Sequence, residues 1–170
     1  HTEVTQGLRH PIISVTALGK TKNRKVISSA GAKIGDDIVI TKWAGMEGTS
    51  ILVRDFRSVF INVLDEAAIR QAENLFNMIS VTAEGRIAAD NNANAYEICQ
   101  ASGLGALIYA EEIPVLPVTL EVAEYCQIDP LRLISSGCMV ITTPDGPGLC
   151  AVYKEAGINA KVVGKVTPEQ

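Results

Sequence analysis

Ala32-Lys33-Ile34-Gly35-Asp36-Asp37-Ile38-Val39-Ile40-Thr41-Lys42-Trp43-Ala44-Gly45-Met46-Glu47-Gly48-Thr49 is the stretch whose reading decides the fold. The Gly35-Asp36 turn launches a short β-branched strand, predicted over residues 38–41. The strand runs into a glycine-rich corner, and from Gly48 the pattern becomes helical, with Thr49 or Ser50 as the expected N-cap. Asp36 and Asp37 are adjacent, and neighbouring strand residues face opposite ways, so the two carboxylates are not expected to share a site. Asp36 is assigned to the turn.

Working outward, residues 11–18 read as a strand with Pro11 at its first position, followed by a basic turn over 19–25 and a short strand over 26–28. Asp65 caps the clearest predicted helix, 65–76, in which Ala68, Ile69, Ala72, Leu75 and Phe76 recur at helical spacing. After a link at 78–81, helices are expected over 83–89 and 93–102, the second stopped by Gly103 and Gly105. A strand follows over 104–109, then an extended linker marked by Pro114 and Pro117, and a helix over 120–126. Residues 138–142 read as a buried strand, and Pro144-Asp145-Gly146-Pro147-Gly148 as a turn. A helix over 149–156, ended by Gly157, and a closing strand over 160–166 complete the chain. Strands and helices alternate without a strict βαβ repeat, which predicts an α+β fold: a layered, mixed β-sheet with flanking helices.

The chain has 170 residues, a net charge of −4 and 47% hydrophobic residues, enough for one domain with a core of its own. No run of eighteen uncharged apolar residues exists, so no membrane span is expected. Lysines and arginines are scattered singly, so no nucleic-acid partner is expected either. Cys99, Cys126, Cys138 and Cys150 form no Cys-x-x-Cys pair, and His1 and His10 are the only histidines. That argues against a metal site and for free thiols in a cytoplasmic protein. The first residue is His1 rather than Met, which suggests a piece of something longer.

Two segments could carry chemistry. In Trp43-Ala44-Gly45-Met46-Glu47-Gly48-Thr49 the glycines let backbone N–H groups approach an anion at a helix start. The favoured reading from spacing alone is that Gly45 and Gly48 permit a tight strand-to-helix turn, because no Gly-Lys-Ser/Thr phosphate loop occurs. Glu47, the carboxylate inside the corner, either accepts a substrate proton or caps its neighbours; capping is the favoured reading. Ser135-Ser136-Gly137 offers two hydroxyls and a glycine as a cradle for a phosphate or carbonyl, or is a simple turn. Cys138 reads as a buried small hydrophobe. No Ser-His-Asp arrangement is credible, and no catalytic residue is assigned.

The corner and the segment Asp129-Pro130-Leu131-Arg132-Leu133-Ile134-Ser135-Ser136-Gly137 together resemble the ATP-dependent superfamily of aminoimidazole ribonucleotide (AIR) synthetase, thiamine-monophosphate kinase, selenophosphate synthetase and the hydrogenase-maturation dehydratase. His1-Thr2 matches the end of a Gly-Gly-His-Thr segment that joins the two domains in that family. Glu155-Ala156-Gly157-Ile158-Asn159-Ala160-Lys161-Val162-Val163-Gly164-Lys165-Val166-Thr167 matches its close. The resemblance implies an AIR synthase C-terminal-domain-like fold, with residues 1–10 an interdomain segment and 11–170 the C-terminal domain. It implies that the N-terminal ATP-binding domain is absent, that the full-length protein uses Mg-ATP and forms a homodimer, and that this part binds no cofactor alone. On the family's pattern His1, Thr2, Gly45, Glu47, Gly48, Ser135, Ser136 and Gly137 face the cleft.

Three departures accompany the match. Relatives of the maturation protein carry a His-Asp-x-Thr-Glu-Gly-Gly loop where this chain runs Ala88-Ala89-Asp90-Asn91-Asn92-Ala93-Asn94. Either the loop is deleted, or a stretch near Asp90 and Asn91 is not represented. The dehydratase has Asn-Glu-Gly in place of Ser135-Ser136-Gly137, and it takes its cargo on a C-terminal cysteine, whereas this sequence closes Val166-Thr167-Pro168-Glu169-Gln170. The leading expectation is the substrate-side domain of a cytosolic ATP-dependent enzyme, inactive alone. The alternatives are a non-catalytic regulatory or interaction domain that keeps the fold, and a self-sufficient small-molecule binding module. Exposed apolar surface is expected where the other half would dock.

Overall fold

The structure, a computed structural model, describes Val15, Thr16, Leu18, Lys20 and residues 26–96 and 102–168. Its centre is β1 (Asp37–Thr41), the strand read from the opening stretch. Flanking it in a five-stranded sheet are β2 (Ala95–Tyr96), β3 (Gly105–Ile108), β4 (Val140–Thr143) and β5 (Ala160–Thr167), in the order β2-β4-β1-β5-β3. Every ladder between these strands is antiparallel, with a register shift between Ile38 and Val39 on the β5 side. The layered α+β architecture is as expected. The mixed pairing is not, since among the described residues the one parallel contact is the isolated bridge between Ala44 and Val115.

Among the described residues six helices flank the sheet: α1 (Met46–Asp55), α2 (Arg57–Phe60), α3 (Glu66–Asn74), α4 (Thr82–Asp90), α5 (Pro117–Cys126) and α6 (Gly146–Glu155). β1 alternates its side chains, so Ile38 and Ile40 pack with Val163 and Val166 on one face. Ile141 on β4 joins Ala88, Leu149 and Tyr153 of α4 and α6 in a second cluster. A third, wholly helical cluster unites Val53, Phe60, Leu64, Ile69, Ala72, Val118 and Val122 from α1, α2, α3, α5 and the turns between them.

Local chemistry explains most boundaries. The Asp65 carboxylate accepts the Ala68 N–H at 2.7 Å and caps α3 as expected. Pro117 belongs to the first turn of α5 rather than to a linker, and Pro147 to that of α6. The fixed φ of proline suits a first turn, where the missing N–H would have had no intrahelical partner. Hence Pro144-Asp145-Gly146-Pro147-Gly148 is a helix start, with Asp145 as N-cap, rather than a free turn. Residues 26–28 form no strand. Ala95 and Tyr96 are strand instead of helix, because the Asn94 N–H bonds the Thr142 carbonyl and draws the chain onto β4. The strand expected over 11–18, the basic turn and the rest of the 93–102 helix lie largely outside the described residues. Among the described residues no helix is long and apolar enough to cross a membrane.

Candidate functional site

β1 delivers the chain into the glycine-rich corner, and the corner opens α1 through Gly45. This residue holds φ 76°, a left-handed conformation that glycine adopts without steric cost. The N-cap is therefore Gly45, not Thr49 or Ser50. Both hydroxyl residues are fully buried inside the helix, where Thr49 Oγ1 donates back to the Gly45 carbonyl at 2.8 Å and lies 3.0 Å from Thr119 Oγ1.

The corner meets the Ser135-Ser136-Gly137 segment directly. The Gly45 N–H donates to Ser135 Oγ at 2.9 Å, across ninety positions of sequence, and the Gly48 N–H donates to the Ile134 carbonyl at 2.8 Å. Ser135 Oγ in turn donates to the Leu133 carbonyl at 2.9 Å. A Cβ on Gly48 would stand 2.9 Å from Leu133 Cβ, so the close approach requires glycine there. Gly137 is buried at φ 96°, against the backbone at Ile79 and the Met46 side chain.

These bonds decide between the readings of the corner. The Gly45 and Gly48 N–H groups are spent on the neighbouring loop, so they are not the anion cradle that glycine spacing allows. The first turn's remaining amides belong to Met46 and Glu47. Glu47 is half-buried, and its Oε2 is buried without a hydrogen-bond partner. The capping role favoured for it is not made. Unmatched buried acceptors are rare in folded proteins, and each calls for a donor from outside. In the facing loop Ser136 is exposed, as are Leu131 and Ile134.

Behind the loop, burial pushes the Cys138 thiol up to about 11, with the Lys42 ammonium pulling the other way. A thiol so protonated is no nucleophile at neutral pH. Cys126, Cys138 and Cys150 are free, and Cys99 lies outside the described residues. Asp36 and Asp37 do serve different partners. Asp36 closes its turn on the Lys33 N–H and takes the Asn94 amide, while Asp37 accepts from the Gly146 N–H and Lys165 Nζ. Among the described residues no cluster of His, Cys, Asp and Glu could hold a metal. A hollow of about 420 Å³ between α6 and β5 is lined by Cys150, Lys154 and Asn159 but by none of the corner or loop residues.

Of the eight residues marked in the sequence, Gly45, Glu47, Gly48, Ser135, Ser136 and Gly137 thus lie at one place. His1 and Thr2 fall outside the described residues. Lys42 and Glu84, which meet behind the loop, were not marked. Lys42 sits inside the opening stretch, but nothing in its neighbourhood points to a partner on α4.

Comparison with known proteins finds relatives in sequence and in fold. Residues 91–170 match the family described as AIR synthase related protein, C-terminal domain. The chain is 25% identical, over 99% of its length and 53% of the relative's, to a Methanocaldococcus jannaschii protein named for hydrogenase expression/formation. It is 26% identical to the carbamoyl dehydratase HypE of Cupriavidus necator, over 91% of this chain and 46% of that one. It therefore spans about half the length of the curated relatives it matches. Among solved structures, E. coli HypE, a hydrogenase maturation protein, superposes with a TM-score of 0.67 at 20% identity, covering 85% of this chain and 47% of that one. Thiamine-monophosphate kinase from Stenotrophomonas maltophilia does so with 0.64 at 14% identity, over 85% and 51%. Over residues 91–170 the chain thus matches the AIR synthase related protein C-terminal-domain family, and its fold is the one seen in HypE and thiamine-monophosphate kinase.

Proposed function

We infer that the chain is the C-terminal, substrate-side domain of a cytoplasmic ATP-dependent enzyme of the AIR synthase and hydrogenase expression/formation type, inactive without an N-terminal half. The carrying observation is the junction of Gly45 with Ser135, which brings two segments ninety positions apart to one place, beside the unmatched Glu47 oxygen. Gly45, Glu47, Gly48, Ser135, Ser136 and Gly137, with His1 and Thr2, form this domain's wall of the cleft. Glu47 Oε2 takes its missing donor from bound substrate. Mg-ATP belongs to the other half, and the full protein is a homodimer. Two structural neighbours support nucleotide use: a HypE in complex with ATP and a thiamine-monophosphate kinase complexed with AMPPCP and TMP. Leu131 and Ile134, 42% and 60% exposed just ahead of Ser135, suit a surface that the other half covers.

A second reading, a regulatory or interaction domain that keeps the fold without the chemistry, has its own observation. Where the relatives' loop would stand, the backbone closes tightly: the Ala93 N–H donates to the Ala88 carbonyl, and the Asn91 side chain to that of Ile87. The alignment to the M. jannaschii relative also runs over 182 residues, more than this chain contains, so the relative holds residues missing here.

One experiment separates the two. The full-length protein, with whatever precedes His1, is assayed for ATP turnover against candidate carboxamide and phosphate-acceptor substrates. Turnover that falls at least tenfold in Ser135→Ala supports the enzyme. ATP binding without turnover, unchanged by that substitution, supports the regulatory domain. Tight Mg-ATP binding by residues 1–170 alone counts against the proposed division of labour.

A further inference from the structure

Lys42 leaves β1 at φ 56°, a left-handed backbone that a residue with a Cβ rarely adopts. Asn159 holds it there: the Lys42 N–H donates to the Asn159 carbonyl at 2.7 Å, and the Asn159 side chain donates to the Lys42 carbonyl at 3.1 Å. The turn sends the lysine side chain inward. Its Nζ donates to the carbonyls of Met78 at 2.8 Å and Ser80 at 2.7 Å. It also stands 2.6 Å from Glu84 Oε1, in a pair whose side chains are 13% and 2% exposed. Glu84 Oε1 has no aligned hydrogen bond, so this contact is an ion pair whose charge is matched while its geometry serves the two carbonyls. α4 is anchored in turn by Tyr153, whose hydroxyl donates to the Glu84 carbonyl at 2.9 Å.

The backbone thus gripped is the surface on which Gly137 lies. A Cβ at Gly137 would meet Ile79 Cα at 2.7 Å and the Met78 carbonyl oxygen at 3.1 Å. Contacts therefore run unbroken from Glu84 through Lys42 and the backbone of residues 78–80 to Gly137, and along the loop to Ser135 and the Gly45 N–H. A buried ion pair is a costly way to gain stability alone, because desolvating two charges offsets most of their attraction. Its use here is geometric, because an ammonium can grip two carbonyls at once.

We propose that Lys42 and Glu84 are positioning residues: their buried pair clamps the backbone of residues 78–80 as a strut that sets the Ser135-Ser136-Gly137 loop against the start of α1. The functional weight of this strut rests on reading that loop as the cleft wall. The strut itself is tested without substrate.

The test is site-resolved amide hydrogen exchange on the full chain. The amides read are Gly45, Gly48 and Cys138, whose N–H groups bond Ser135 Oγ, the Ile134 carbonyl and the Ser135 carbonyl. The references are Ile69 in α3 and Val166 in β5. Lys42→Met alone would leave Glu84 buried and unpaired, so the main variant is the double Lys42→Met/Glu84→Met, which buries no charge. The three loop-facing amides should exchange at least tenfold faster, with the references within threefold of the parent. Glu84→Gln, which keeps the size and loses the charge, should give the same pattern, smaller than in the double variant but beyond the threefold band of the references. Equal acceleration at all five amides would reduce the pair to general stability and overturn the proposal, as would no change at the three. An inactive full-length enzyme would leave the exchange result standing, and a failed strut would leave the enzyme reading standing.

Discussion

Two glycine-rich helix starts sit at the ends of neighbouring strands, and they are finished in opposite ways. At α6 the corner closes on carboxylates. The Asp145 side chain accepts the Gly148 N–H at 2.9 Å, and Asp37 accepts the Gly146 N–H at 3.0 Å while paired with Lys165. At α1 no side chain caps the helix from its N-cap position. A hydroxyl and a carbonyl from a loop ninety positions away take the Gly45 and Gly48 amides, and the local carboxylate, Glu47, is left with an unmatched oxygen. The α6 corner is complete in itself and reads as structure. The α1 corner depends on a distant loop and keeps a polar group in a state that stability alone would remove. That difference, rather than glycine content, is why we propose the α1 corner as the functional end.

The comparison breaks first at Gly137. Gly137→Ala places a methyl 2.7 Å from Ile79 Cα on a backbone at φ 96°, so overpacking and backbone strain combine. About 2–4 kcal/mol of stability should be lost in urea unfolding. A loss under about 0.5 kcal/mol would mean that the loop is free to move and that the α1 corner is not held from behind.

The α6 corner should carry acid sensitivity through Asp37. Burial pushes the Asp37 carboxyl up, but the Lys165 ammonium and the Gly146 N–H outweigh it and leave the group below its ordinary value. A carboxylate lowered in the folded state stabilises above its unfolded value, near pH 4, and that stabilisation is lost as the pH falls through the folded one. Asp37→Asn should cost about 1–2 kcal/mol at pH 7 through the weakened bond to Gly146. Its urea midpoint should also fall less steeply than the parent's below about pH 4. Parallel curves for the two proteins would remove Asp37 from the acid response.

The smallest effect on stability, and the sharpest on function, belongs to Glu47. Glu47→Gln gives up a favourable charge near a helix start but relieves a desolvated, unmatched carboxylate oxygen. The net change should stay within about 1 kcal/mol. Turnover by the full-length protein should fall at least tenfold. A clear loss of stability with turnover intact would return Glu47 to a structural role and erase the contrast between the two corners.

Short-range chemistry was legible in the sequence, and long-range pairing was not. The strand after Gly35-Asp36, the helix capped by Asp65, the stop at Gly157 and the closing strand all stand where local pattern puts them, because each depends on residues within a turn or two. Ala95 and Tyr96 read as helix, yet bonds from β4 made them a strand. Thr49 and Ser50 look like caps, yet the packing of α1 against α3 and α5 buried them and left Gly45 to open the helix.

From its amino acids alone the chain is an α+β domain with two segments of family character, since turn glycines, helical spacing and β-branched runs act on their near neighbours. That those segments touch, that their glycine amides are already spent, that Glu47 lacks a donor, and that Lys42 reaches Glu84 behind them are decisions of the tertiary structure. Each joins groups brought together by a sheet in which β1 lies between β4 and β5, strands that come a hundred residues later, and no local pattern encodes a partner at that distance.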